Sequence, residues 1–284
     1  MPLRSDLLTA RPGDPYLRFR FQGGTAGPAV IDGDHVAVVR VGRRTEETWI
    51  TALGDDPARI LSLIDTLSEG RHVDGIHVDD EVYFNLPERL RIPDPGWWSI
   101  WTLQGTMPPP ATAGTTVVEL SPSDGRIDAL LAHSDSAYLF AGDDSIVRWV
   151  GIEQGDRLVA VAGQSTTSAG SATLGGVPHL VSICVDPDYR GRGFGGEVTA
   201  HLARAAREEG ADEVYLEMYA GNLPAARAYA RVGFVERARY RSGFLPDRPA
   251  GRLSRTDGEQ DRPAGRLGRP DGDQEGAPRD PRRA

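Results

Sequence analysis

The sequence predicts an α/β (α+β) protein, and three observations carry that prediction. Apolar runs of strand type, such as Val36-Ala-Val-Val-Arg-Val41 and Val214-Tyr-Leu-Glu-Met218, alternate along the chain with helical stripes such as Pro57–Leu67. Hydrophobic residues make up 39% of the 284, which with 34 glycines is ordinary globular usage and enough for a sizeable core. A proline run, Met107-Pro-Pro-Pro-Ala111, then divides the chain, because successive prolines continue neither a helix nor a central strand. Residues 1–110 are expected to form a smaller N-terminal α/β domain. Residues 111–115 end the Pro-rich linker, 116–245 form a second domain, and 246–284 form a tail.

In the first domain the helical stripe falls at positions 60, 61, 63, 64 and 67, opened by Asp56 and Pro57 and closed by Gly70. Trp97, Trp98 and Trp101 cluster just before the prolines and are expected to pack between domains. No nucleophile, metal or phosphate motif appears in this half. In the second domain, Val117, Val118 and Leu120 predict a short strand. Ser121-Pro122 offers a cap and a first-turn proline for a helix through Leu131. The β-rich runs Ile146–Ile152 and Leu158–Ala162 flank Gln154-Gly155-Asp156, a hairpin signal. A Ser/Thr/Gly/Ala-rich stretch, Gly163–Gly176, reads as a mobile loop, and His179–Val185 as a strand. After a glycine-rich turn comes a helix to about Glu209, stopped by Gly210. Asn222 caps a further helix ending at Gly233, and Phe234-Val235 begin a last strand.

The tail repeats Asp247-Arg-Pro-Ala-Gly-Arg-Leu as Asp261-Arg-Pro-Ala-Gly-Arg-Leu. Such Pro/Gly/Arg/Asp sequence buries too little to offset its chain entropy, so the tail is expected to be disordered.

Charge and cysteine usage exclude several classes. There are 41 acidic residues against 32 basic ones, all of them Arg, for a net charge of −9. A nucleic-acid partner is not expected, since phosphates need a positive face. The single cysteine, Cys184, rules out an internal disulfide and multi-cysteine metal sites, and it fits a reducing compartment. No apolar run approaches about 18 residues, so neither a membrane span nor a secretory leader is expected. The protein is expected to be cytoplasmic.

The segment with chemistry in it is Arg190-Gly-Arg-Gly-Phe-Gly-Gly196, between a strand and a helix. Glycines there allow φ > 0 and close backbone approach, while the free N–H groups of a helix start converge on an anion. Arg190 and Arg192 add positive charge, so a pyrophosphate is the natural ligand. Gly191, Gly193 and Gly196 also satisfy G-x-G-x-x-G, with Glu217 ending the next strand, which would suit a dinucleotide. Against that reading, Asp186-Pro-Asp-Tyr-Arg190 separates the strand from the glycines, and the βαβαβ context is missing.

The segment resembles the acyl-CoA signature of the GNAT superfamily of N-acetyltransferases, Gln/Arg-x-x-Gly-x-Gly/Ala, here Arg190-Gly-Arg-Gly193-Phe-Gly195. The strand Ile183-Cys184-Val185 before Asp-Pro has the family's form. So does Asn222-Leu-Pro-Ala-Ala226-Arg-Ala-Tyr229 leading to Gly233-Phe234. The resemblance covers about residues 116–245, and residues 1–110 look more loosely like a degenerate companion domain of two-domain members. It implies a mixed, mostly antiparallel twisted sheet flanked by helices, and acetyl-CoA as cosubstrate with no metal. It also implies a V-shaped opening beside the 179–185 strand. There, Ile183, Cys184 and Val185 would accompany the pantetheine arm, and Arg190, Gly191, Arg192, Gly193, Phe194, Gly195 and Gly196 would hold the pyrophosphate. Asn222 would lie on the cofactor side of its helix.

Acyl transfer needs a neutral amine, oxyanion stabilisation and a proton for the departing thiolate. A backbone N–H near Val185 fits the second role by the resemblance, and Tyr229, on the helix face shared with Asn222, fits the third. Glu217 shares a strand face with Tyr215 and Tyr219 and is the candidate base, with an ion pair as the competing role. Phe194, Val198, Leu202 and Ala205 form one helical stripe, and His201 beside it reads as a packing residue. Cys184 alternates away from Ile183 and Val185 toward the core. The acceptor is expected to be a small amine or a peptide N-terminus, with a cationic acceptor suiting the acidic body. A non-catalytic CoA-binding sensor is the alternative from another class.

Overall fold

The computed structural model describes residues 4–21, 26–41, 47–108, 114–166 and 176–246. The repeat-bearing tail from 247, most of the linker end and most of the Ser/Thr/Gly-rich stretch lie outside the described residues. One mixed sheet organises the rest. Its strands are β1 (Ala26–Asp32), β2 (His35–Val41), β3 (Thr48–Leu53), β4 (Gly75–Asp79), β5 (Gly96–Gln104) and β6 (Val117–Leu120). They continue as β7 (Ile146–Gln154), β8 (Arg157–Thr166), β9 (Pro178–Val185), β10 (Glu213–Tyr219) and β11 (Val235–Phe244). Their order across the sheet is β1-β2-β3-β4-β11-β5-β10-β9-β8-β7-β6. Eight pairings are antiparallel, and two, β3 with β4 and β9 with β10, are parallel. The expected mixed, mostly antiparallel sheet is present. Strand β5, which precedes the proline run, lies between β10 and β11, which follow it, so the sheet continues across that break.

The helices are α1 (Arg4–Ala10), α2 (Pro57–Ser68), the short α3 (Asp80–Tyr83), α4 (Gly125–Leu131), α5 (Phe194–Glu208) and α6 (Leu223–Val232). None is long and apolar enough to cross a membrane. Helix α2 forms as expected: the Asp56 carboxylate accepts from the N–H groups of Ala58 and Arg59, Pro57 begins the first turn, and Ile60, Leu63, Ile64 and Leu67 are buried. Helix α4 differs from expectation. Ser121 starts a turn rather than the helix, and Asp124, whose carboxylate accepts from the Arg126 N–H at 3.0 Å, is the cap. In α5 the sheet-facing stripe runs through Val198, Leu202 and Ala206 instead of Ala205, because 205 and 206 straddle the stripe after a turn of 3.6 residues.

The core lies on both faces. Helices α5 and α6 cover Val150, Leu180, Val214 and Leu216 on one face. On the other, the N-terminal segment buries Leu7, Leu17 and Phe19 against Val38, Ile100, Tyr215 and Tyr240. The three tryptophans do not form a single cluster, since a strand turns successive side chains to opposite faces. Trp98 packs against Tyr240 and His77, Trp101 against the α5 side, and the Trp97 indole donates to Asp80 at 3.0 Å.

Candidate active site

Strands β9 and β10 share only two register pairs, His179 with Tyr215 and Leu180 with Leu216. Beyond Leu180 they part. The local cause is in β9, where Ser182 takes φ +50°, the one positive φ outside glycine among the described residues. The pairing with β8 slips there, between Val161 and Gly163, as a bulge does. Ser182 Oγ donates to the Leu139 carbonyl at 2.8 Å, tying the segment after α4 to the bulge.

A cavity of about 900 Å³ opens from the parted strands. At one end lies the start of α5. Gly193 caps it in the left-handed region at φ +86°, and no side chain caps the helix. The first N–H groups of α5 therefore have no side-chain acceptor, and the helix dipole adds positive potential there. Gly191 is also left-handed, at φ +78°. A Cβ on either glycine would meet nothing within 4 Å, so backbone conformation, not crowding, calls for glycine.

The structure brings most of the expected residues to this wall: Ile183, Cys184, Val185, Arg190, Gly191, Gly193, Phe194, Gly195, Gly196, Glu217, Asn222 and Tyr229. The two arginines of the motif are placed differently. Arg190 donates to the carbonyls of Val185 (3.2 Å) and His133 (3.4 Å), bracing β9 and the segment after α4. Arg192 does not line the cavity; it donates to the Asp188 carbonyl at 3.3 Å and lies over the Tyr189 ring at 4.6 Å. The Cys184 thiol is buried in the α4 core and directed to the Leu130 carbonyl at 3.4 Å, and burial pushes its pKa up, which keeps it a thiol.

Asn222 caps α6 by accepting from the Ala225 N–H at 3.1 Å. One face onward, Tyr229 is buried, and that burial raises its pKa, so its phenol stays protonated. Glu217 and Tyr215 do share a face, but that face is covered. A π-helical turn, Tyr16–Arg20, lies on it, and Arg20 Nη1 donates to Glu217 Oε2 at 3.2 Å. Burial raises the Glu217 pKa, and Arg20 offsets part of the rise.

The other end of the cavity is walled by residues of the N-terminal half that sequence reasoning missed, among them Tyr16, Arg40, Trp49, His77 and Trp98, together with Tyr138 and Ser242. Register explains their convergence: Arg40 pairs with Trp49, Thr51 with His77, His77 with Ser242, and Trp98 with both Tyr240 and Tyr219, so one sheet face supplies the floor. Arg40 donates to the Tyr16 hydroxyl at 2.6 Å, and Tyr16 stacks on His77 at 4.3 Å. Burial, with Arg20 and Arg40 nearby, holds His77 well below its usual pKa. Burial and Arg20 push His179 down to about 3, so both imidazoles are neutral at pH 7. A single sequence carries no signal for these pairings.

Residues 116–234 match the model of the acetyltransferase (GNAT) family. The chain carries a GNAT-family domain. Among curated relatives, a streptothricin acetyltransferase of Streptomyces lavendulae is 46% identical over 56 residues, 20% of this chain and 30% of that one. A mycothiol acetyltransferase of Corynebacterium aurimucosum is 56% identical over 48 residues, 16% of each. The alanine N-acetyltransferase of ribosomal protein bS18 from Escherichia coli is 36% identical over 67 residues, 24% of this chain and 45% of that one. The chain thus spans less than half the length of these relatives. A solved Drosophila protein shares the fold at 16% identity and a TM-score of 0.50, over 87% of this chain and 84% of that one. A GCN5-related N-acetyltransferase from Kribbella flavida aligns at 18% identity and a TM-score of 0.49, over 80% and 91%.

The GNAT family implies acetyl-CoA. The uncapped α5 start, the two left-handed glycines and the β9 edge that has parted from β10 fit such a ligand, with a pyrophosphate at the helix and an extended arm beside the strand.

Proposed function

We propose that this protein is an acetyl-CoA-dependent N-acetyltransferase acting on a primary amine or a peptide N-terminus by direct attack. The observation that carries this reading is a cavity joining an uncapped helix start to a half-buried carboxylate and a buried phenol. Acetyl-CoA, when bound, supplies an activated acyl thioester. The backbone N–H groups across Gly191–Gly196 and the dipole of α5 hold its diphosphate, an attraction of order 1 kcal/mol from the dipole. The parted edge of β9 from Ile183 to Val185 orients its arm, and a backbone N–H near Val185 steadies charge developing on the carbonyl oxygen.

An ammonium must lose a proton before it attacks. Glu217 lines the cavity and, with its pKa raised by burial, is a stronger base than an exposed carboxylate. Tyr229, on the cavity wall, keeps its proton for the same reason, which supports it as the donor to a leaving thiolate. Tyr138, also on the wall and held protonated by burial and Glu217, is the second phenol in reach of this role. Relatives that acetylate streptothricin and a protein alanine support a nitrogen acceptor. Arg20 and Glu217 already pair with one another, so the acidic body does not extend into the acceptor end as a cation trap.

The test is thermal stabilisation of the full chain by CoA and acetyl-CoA, followed by mass spectrometry of acetylated products from a panel of amines. Stabilisation by both ligands and at least one N-acetyl product is expected. Stabilisation by NAD(P) in place of CoA overturns the ligand, and binding without any turnover favours a sensor.

A further inference from the structure

We propose that Arg20 is a positioning residue for amine acetylation, holding the Glu217 carboxylate in the orientation and charge state in which it receives a proton from the acceptor nitrogen. This rests on the reading of Glu217 as the acceptor-side base.

The first observation is how the turn that bears Arg20 is seated. Three successive residues meet three alternate positions of β10: Arg18 pairs with Glu213, the Phe19 ring stacks on Tyr215 at 4.4 Å and 10°, and Arg20 reaches Glu217. The turn is fixed from behind by Arg4, which donates to the carbonyls of Phe21 at 2.6 Å and of Leu17 and Arg18 at 3.2 Å each. Arg20 also lies over the Trp98 ring at 5.5 Å, which limits its swing. A guanidinium delivered by so constrained an element is placed rather than stray.

The second observation is that the pair is incomplete. Only Nη1 meets Oε2, at 3.2 Å, while Glu217 Oε1 is buried with no hydrogen-bond partner. A guanidinium fork suits both oxygens of a carboxylate, and an unsatisfied buried oxygen costs free energy. Here one oxygen is clamped by Arg20 and the other is an unsatisfied acceptor, in a residue that lines the cavity.

The third is the charge inventory. The titratable groups near Glu217 are Arg20 from the turn, Tyr138 from the segment after α4, and Tyr215 and Tyr219 from its own strand, with His179 of β9 stacked on Tyr215. Tyr138 is held protonated and His179 neutral, so Arg20 is the cation that acts on the carboxylate. Without it the carboxyl, already raised by burial, rises further. More of it is then protonated at neutral pH, and its two-fold terminal torsion is no longer held.

The experiment compares the full chain with Arg20→Gln, Arg20→Lys, Glu217→Gln and the Arg20→Gln/Glu217→Gln double variant. Acetyl-CoA is the donor, and ethanolamine, tyramine, glucosamine and an alanine-initiated tripeptide are the acceptors. Arg20→Gln is expected to lower kcat/KM for the amine about 100-fold, the scale of a misplaced catalytic group, with KM for acetyl-CoA within about twofold. The acid limb of its pH profile should move to higher pH, and Arg20→Lys should recover part of both. The double variant should be no slower than Glu217→Gln alone. An unmoved acid limb, or losses that simply multiply in the double variant, overturns the proposal. Independently of turnover, carbon-13 NMR of labelled Glu, with the Glu217 line identified by its absence in Glu217→Gln, should show a higher titration midpoint in Arg20→Gln. An equal midpoint overturns it too. If the wild type binds acetyl-CoA yet acetylates none of the four acceptors, the functional reading is in question, while the titration still decides whether Arg20 governs Glu217.

Discussion

In β3–α2–β4 a strand, a helix and a parallel strand follow one another, as they do in β9–α5–β10, yet the helix starts differ in kind. Asp56 closes α2 with its own carboxylate, occupying the N–H groups of Ala58 and Arg59. Gly193 leaves α5 open. The strands differ as well. Four register pairs hold β3 to β4 from Trp49 to Ala52, whereas β9 and β10 part after two. A self-capped helix over closed strands stabilises the fold. An uncapped helix over parted strands gives up a cap worth about 1 kcal/mol and retains free donors and an open edge for a ligand. The two units differ in what they offer the cavity: one contributes its floor, the other an open helix start and a free strand edge.

The largest expected effect comes from importing the closed design into the open unit. Gly193→Asp places a side chain at φ +86° and a carboxylate at the α5 start. Acetyl-CoA affinity should fall at least about 100-fold, through left-handed strain and like charge together, and isothermal titration reads it directly. Retained affinity would break the contrast.

Next in size is the chemistry at the end of the open unit. Glu217→Gln should lower kcat/KM for an amine by about 10² to 10³ without changing acetyl-CoA affinity, and Tyr229→Phe should lower kcat by about 10 to 100. In the wild type the rate should climb with pH through a Glu217 pKa above the ordinary carboxylate value, because the base must be ionised and burial opposes its ionisation. If Tyr138→Phe costs more than Tyr229→Phe, the proton donor is the phenol of the segment after α4.

A smaller effect is expected from opening the closed unit. Asp56→Ala frees the N–H groups of α2 and should cost about 1 kcal/mol of stability in denaturant unfolding. It should confer no second CoA site, because β3 and β4 stay paired. Binding of two CoA molecules would show that the cap alone separates the units.

The smallest effect concerns Asp79, at the end of β4. Burial pushes its pKa up to about 7, against the Gly54 N–H and Arg11, which act the other way. A folded-state pKa above the unfolded value means the contribution to stability is present in acid, near pH 4 and below, and is lost as pH rises through about 7. Asp79→Asn should flatten that decline between pH 5 and 8, and thermal melts at both pH values measure the slope.

Much of the open unit was legible beforehand because its signals are local. Left-handed turns select glycine at 191 and 193, Asn222 caps its own helix, and apolar spacing marks the strands on either side. Boundaries moved in three places: Asp124 takes the α4 cap from Ser121, Ala206 replaces Ala205 at the sheet, and β8 runs on to Thr166 into the stretch expected as a loop from Gly163, because β7 and β9 pair with it there. Arg190 and Arg192 stand on either side of Gly191 in the motif but are placed differently, Arg190 on the cavity wall and Arg192 over the Tyr189 ring, a distinction that spacing alone does not give.

By itself, then, the order of residues determined most element types beyond residue 116, the glycine-opened start of α5 and the helix that carries Tyr229, each set by conformational preferences within a few positions. The walls of the cavity's other end were decided by tertiary structure. Strand β5 enters between β10 and β11, and a turn near residue 20 lies along a strand near residue 217. Such partners are chosen by the summed burial of distant faces, and that sum exists only once the whole sheet has formed.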